Sequence, residues 1–140
     1  MRDETCYNPE FKDWAAPLGR RFRSLRIWVV LNYFGLDGLR QHISASIAQA
    51  QWLRRKIAAR PDLFAMPVAT EFGLVVFKCQ AGDTATAAMA EKLRTDGFLL
   101  YPSQLEGETI VRVALGGVLT EQWDVEALWH RIEVEAHLGE

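Results

Sequence analysis

The sequence predicts an α+β domain in which a small antiparallel sheet carries helices on one face. Three observations predict it. The first sixty residues hold two stretches with apolar residues at helical spacing. The remainder alternates short β-branched or aromatic runs with helical stretches. Glycine or proline punctuates most junctions, and the strands come in pairs suited to antiparallel neighbours.

Taken in order, residues 1–19 read as irregular. They are polar, carry Pro9 and Pro17, and show no clean period. Phe11 and Trp14 in this segment need a surface to pack on. Residues 20–34 read as a helix with Phe22, Leu25, Trp28 or Val29, and Asn32 on one side, ended by Gly35. A second helix is predicted over 36–60, with a stripe of Leu39, Ile43, Ile47, Ala50, Leu53 and Ile57, stopped by Pro61. Residues 63–67 suit a short edge strand, because Pro67 cannot donate to a ladder. Residues 74–79 suit a strand, and 84–95 a helix before the turn signal Asp96-Gly97. Residues 99–102 and 109–115 are expected to pair as a hairpin through Glu106-Gly107-Glu108. Gly116-Gly117 ends the second strand. Thr120 is the expected N-cap of a last helix that faces inward with Val125, Leu128, Trp129, Ile132 and Ala136.

At 140 residues, with 49% hydrophobic and 24% charged content, the chain suits one globular domain with its own core. A net charge of -2 argues against a nucleic-acid partner. The charge is uneven, however: Arg20, Arg21, Arg23 and Arg26 crowd one helix start, where the backbone dipole disfavours cations. Two readings stand. Either a negative partner offsets them, or they are solvated or paired within the chain. The longest apolar run, 27–31, is too short for a membrane span, and the first residues lack the apolar core of a secretory leader. Cys6 and Cys79 form no metal-binding or disulfide pattern, which fits a reducing, cytoplasmic setting.

No self-contained catalytic or metal motif is present. The chain lacks a glycine-rich phosphate loop and a G-x-S-x-G elbow. His42, His130 and His137 are scattered, and each reads as structural or solvated. Cys79 reads as a small buried hydrophobe and the tryptophans as packing residues. No residue is assigned as catalytic.

The run Pro17-Leu18-Gly19-Arg20-Arg21-Phe22-Arg23-Ser24-Leu25, preceded by Asp13-Trp14 and followed by Tyr33-Phe34-Gly35, resembles the late signature of the group II pyridoxal-phosphate (PLP) decarboxylases. The aromatic-L-amino-acid and tyrosine decarboxylases are the nearest branch. Three later stretches agree in order and spacing, namely 73–78, 110–116, and Leu128-Trp129 with Ile132, so the resemblance covers essentially the whole chain. It implies the C-terminal small domain of a fold-type I PLP enzyme at 20–140, with 1–19 crossing from a cofactor domain that precedes it. It implies a complete enzyme that is a homodimer and decarboxylates amino acids, aromatic L-amino acids above all. The family's Schiff-base lysine directly follows a histidine, and none of Lys12, Lys56, Lys78 or Lys92 does. The chain alone is therefore expected to be inactive and not to bind PLP by itself. An alternative is a free-standing, non-catalytic α+β binding module derived from the same family. The resemblance further implies that Gly19 and Arg20 lie near the cofactor phosphate of the neighbouring subunit; the other reading is a turn glycine with a structural arginine. Arg112 is a candidate substrate-binding residue facing the active-site mouth, or else it pairs with a carboxylate of the small domain.

Overall fold

Helix α1 spans Arg23–Ala58 and is interrupted at Gly35, whose φ of 66° and ψ of 172° are not helical. The expected break between two helices is thus a single residue in the left-handed region of φ, which glycine enters without steric cost. The computed structural model describes residues 21–137. Phe11, Trp14, Gly19 and Arg20 lie outside the described residues. Contacts divide the chain into two units after Gly35. In the first, the helix from Arg23 to Phe34 presents exposed residues throughout.

The second unit follows as β1 (Phe64–Ala65), β2 (Leu74–Cys79), α2 (Asp83–Thr95), β3 (Pro102–Leu105), β4 (Glu108–Ala114) and α3 (Gln122–His137), after the remainder of α1. Its sheet has the order β1-β2-β4-β3, antiparallel throughout. The central ladder aligns Val75 with Val113 and Phe77 with Val111. Side chains alternate along a strand, so these four share one face. They join a single core with Ala50, Leu53 and Ile57 of α1, Met89, Ala90 and Leu93 of α2, and Val125, Leu128, Trp129 and Ile132 of α3. Phe64 meets both Phe77 and Trp129 edge-on, at 5.6 and 6.1 Å between ring centroids. The α+β architecture with its small antiparallel sheet is therefore as the sequence predicts.

Three local expectations differ. Ile43 was expected on the buried stripe of α1 but is exposed, and burial starts at Ser46 and continues through Gln49, Ala50, Leu53 and Ile57. The amide of Gln49 donates to the Thr120 carbonyl (3.2 Å), so a polar residue takes a place on the inward row. The strand expected at 99–102 instead begins at Pro102. Its start is delayed by the end of α2. Gly97 (φ 96°) donates to the Arg94 carbonyl and Phe98 to that of Leu93, a paired cap that fixes the exit of the chain. Leu100 then donates to Phe98 rather than to β4. Finally, Thr120 is not the cap of α3. The helix begins at Gln122, and the Asp124 carboxylate accepts from the Glu121 amide at 2.8 Å, the backward half of a capping box. The hairpin is where it was expected, and Glu106 and Gly107 both have positive φ (51° and 86°), as a tight two-residue turn requires.

Gly73 enters β2 against the end of β4. Its carbonyl accepts from the Leu115 amide at 2.7 Å, and a Cβ placed on it would stand 2.1 Å from the Leu115 carbonyl oxygen. Gly73→Ala must push the two strands apart, and we expect it to cost about 1–3 kcal/mol in urea denaturation, the usual scale of overpacking. Gly116→Ala, with nothing near its added Cβ, should stay within about 0.5 kcal/mol of the parent.

Candidate functional site

The sheet has two unlike faces. Opposite the core, β2 and β4 present Leu74, Val76, Lys78, Ile110 and Arg112. Val76 and Ile110 are buried here as well, beneath a shallow groove of about 440 Å³ that residues 68–71 help to line. Arg54 of α1 holds this segment in place. Its Nη1 donates to the Thr70 carbonyl at 2.8 Å and its Nη2 to the Phe72 carbonyl at 2.6 Å. Phe72 carries a positive φ of 52°, which bulky residues rarely adopt. Its conformation is held from both sides, by the arginine before it and by the close approach of Gly73 after it. Sequence periodicity placed Arg54 off the apolar stripe and gave no sign of this clamp.

Arg112 stands exposed on the same face, opposite Val76 in the ladder. It has no ion pair among the described residues. Among the described residues, the expected carboxylate partner within the small domain is not seen. The acidic residue at the end of its own strand, Glu108, is taken by Lys78 at 2.5 Å. The guanidinium is left facing outward over an apolar floor.

A second feature lies on the core side, between β2, α2 and α3. An apolar cavity of about 150 Å³ is lined by Ala85, Ala88, Met89 and Cys79, with Lys92 and Glu135 also on its wall. The Glu135 side chain is only 5% exposed and meets Lys92 Nζ and Arg131 Nη2, each at 2.8 Å. Arg131 also donates through Nε to Asp96 at 2.9 Å. A carboxylate this buried needs its cations, so the cluster ties α2 to α3. The acidic crowd near the end of the sequence hid this role, because neither Asp96 nor Lys92 lies close to Glu135 in sequence. Cys79 is buried in contact with Met89 (Sγ to Sδ 3.7 Å), and burial pushes its thiol above the ordinary range.

The remaining candidates are dispersed. His42 Nε2 lies 3.3 Å from the Gly116 carbonyl, His130 is exposed, and the side chain of His137 lies outside the described residues. Trp129 packs in the core, whereas Trp28 and Trp123 are exposed, so the reading of every tryptophan as a packing residue is too broad. No group of three or more His, Cys, Asp or Glu among the described residues could hold a metal ion. Of the described lysines, Lys78 and Lys92 are ion-paired and Lys56 sits over the Trp52 ring at 5.3 Å. No chemical step is assigned to the described residues.

Two measurements check this geometry. Arg54→Met should destabilise the chain by about 2 kcal/mol, since it removes two bonds from a charged donor. Arg112→Gln should stay within about 0.5 kcal/mol, because the exposed guanidinium has no ion pair among the described residues. Iodoacetamide at pH 8, with the labelled peptides mapped by mass spectrometry, should leave Cys79 unmodified in the folded chain and modify it in urea. A raised thiol pKa leaves less thiolate at that pH than a free cysteine has, and burial blocks access.

Comparison with known proteins places this geometry. The family model described as the pyridoxal-dependent decarboxylase conserved domain matches residues 2–80. Histidine decarboxylase of Mus musculus is 29% identical over 92% of this chain, which spans 20% of that protein. Tryptophan decarboxylase 2 of Oryza sativa subsp. japonica is 33% identical over 91% of this chain, which spans 27% of it. The crystal structure of Oryza sativa TDC with PLP and tryptamine superposes with a TM-score of 0.80 at 28% identity, over 91% of this chain and 29% of that one. The chain thus spans about a fifth to a third of the length of these relatives, and over that span it belongs to the pyridoxal-dependent decarboxylase family.

Proposed function

We propose that this chain is the C-terminal small-domain portion of a PLP-dependent carboxy-lyase that decarboxylates aromatic L-amino acids. The observation that carries this reading is the superposition on Oryza sativa TDC over 91% of the chain at a TM-score of 0.80, together with the family match over residues 2–80. PLP supplies the electron sink that decarboxylation requires, and it does so from the cofactor domain that makes up the rest of such an enzyme. The small domain contributes by position. In the homodimer, Gly19 brings backbone close to the cofactor phosphate of the neighbouring subunit, and Arg20 adds positive potential there. Arg112 is the substrate-facing cation. Its exposure above the groove on the open face, with no ion pair among the described residues, supports that role over a structural one. Residues 1–19 cross from the cofactor domain, residues 20–140 form the small domain, and the enzyme works in the cytoplasm. No helix among the described residues is long and apolar enough to cross a membrane.

A second reading, a free-standing non-catalytic module of the same descent, is favoured by one observation: the body from Leu36 onward has a closed core of its own. One measurement tests the absence of activity that both readings expect, and a second separates them. The purified chain mixed with PLP should show only the summed spectrum of its parts and release no carbon dioxide from L-tryptophan, L-tyrosine or L-histidine; robust turnover overturns the first reading. An in-frame His-Lys pair encoded upstream of Met1 supports the enzyme portion, and its absence from the transcript supports the module.

A further inference from the structure

Residues 23–34 are apolar around the whole circumference of a helix. At 100° per residue, Leu25 and Phe34 point in opposite directions, and Trp28 and Val30 very nearly so. Ile27, Val29, Leu31 and Tyr33 fill the angles between them, and Phe22 stands just before the first helical residue. All nine side chains are exposed, Tyr33 to 80%, Phe22 to 72% and Trp28 to 61%. The polar exceptions are few. Asn32 returns its side-chain amide to the Trp28 carbonyl at 2.8 Å, so it needs no partner outside the helix. Arg23 and Arg26, with Arg21 before them, gather at the N-terminal end and have no ion pair among the described residues.

A helix that is apolar on every side belongs inside a body, not on its surface. That requirement selects the occupant. A second copy of this chain, pairing helix to helix about a two-fold axis, would cover one side of each helix and leave the other in water. A one-sided groove fails in the same way. What encloses the helix must bring apolar surface to opposite sides at once, and carboxylates to the end where the arginines stand against the helix dipole. The chain spans 27% of the rice relative, so the remaining part of such a protein is large enough to do this.

We propose that residues 22–34 form an internal strut, enclosed on opposite sides by the cofactor-carrying part of the decarboxylase, with acidic groups of that part meeting Arg21, Arg23 and Arg26. The proposal rests on the reading of this chain as the small-domain portion of such an enzyme.

The test co-expresses the tagged 140-residue chain with the part of Oryza sativa tryptophan decarboxylase 2 that precedes the matched region. Co-purification at equal stoichiometry and carbon dioxide release from L-tryptophan are the two readouts. Leu25→Glu and Phe34→Glu, on opposite sides of the helix, are each expected to reduce the captured partner at least tenfold, and so is the Arg23→Glu, Arg26→Glu double variant. Ser44→Glu, at an exposed position of α1, should leave capture unchanged. Circular dichroism and urea midpoints of the free variants should match the parent. If the parent complex forms and turns over substrate while Leu25→Glu or Phe34→Glu is harmless, the enclosed strut is wrong and the enzyme reading stands. If the chain instead forms a stable homodimer that both substitutions break, the second copy is the occupant and the proposal is overturned. If the parent chain neither captures the partner nor supports turnover, the proposal and the reading on which it rests fall together.

Discussion

The β2–β4 ladder pairs Leu74 with Ala114 and Phe77 with Val111, and it is buried along its core face and, on the other face, at Val76 and Ile110. The other elements of the second unit take their places from it. Phe77 and Val111 on one side set where the helices settle, and Val76 and Ile110 on the other give residues 68–71 a floor. The ladder closes at its end only because Gly73 has no side chain to strike the Leu115 carbonyl. From that contact the chain runs back into Phe72, held at positive φ, and to the carbonyls gripped by Arg54. One missing Cβ and one arginine thus determine the shape of the open face, the face that also carries Arg112.

Much of this could be read in the residues, and the parts that could be read share a physical cause. Strands 74–79 and 109–115 announce themselves because burial on both faces demands continuous apolar, β-branched runs. The hairpin announces itself because Glu106-Gly107 can reach the positive φ its turn needs. The errors arise where a long-range contact overrides a local signal. Leu99, Leu100 and Tyr101 have strand-like character, yet the cap at the end of α2 directs them away from β4. Ile43 fits the helical period but lies before the point where burial on α1 begins. Thr120 is a good capping residue, and Asp124 caps instead by reaching backwards.

The functional residues divide along the same line. Arg112 could be picked out by its place between two inward valines, because alternation alone puts it on the opposite face. That it has no ion pair among the described residues could not be foreseen from alternation, which does not show which carboxylates the fold brings near it. Arg54 and the Lys92–Glu135–Arg131 cluster were equally hidden. Each joins positions far apart in sequence through side chains that look like ordinary surface charges until the fold brings them together.

Two kinds of surface therefore coexist in one short chain. The body from Leu36 onward satisfies its own demands: its apolar strand and helix faces close on one core, and its most buried carboxylate has two cations. Residues 22–34 do the opposite, showing apolar groups on every side and cations with no ion pair among the described residues. A sequence selected to stand alone has no reason to keep both, since exposed apolar area of this extent invites association. Family membership explains the first property, because the small domain is a conserved unit of structure. The second follows if the chemistry lies elsewhere: a part that supplies position and charge to a catalytic centre must keep the surface by which it is positioned.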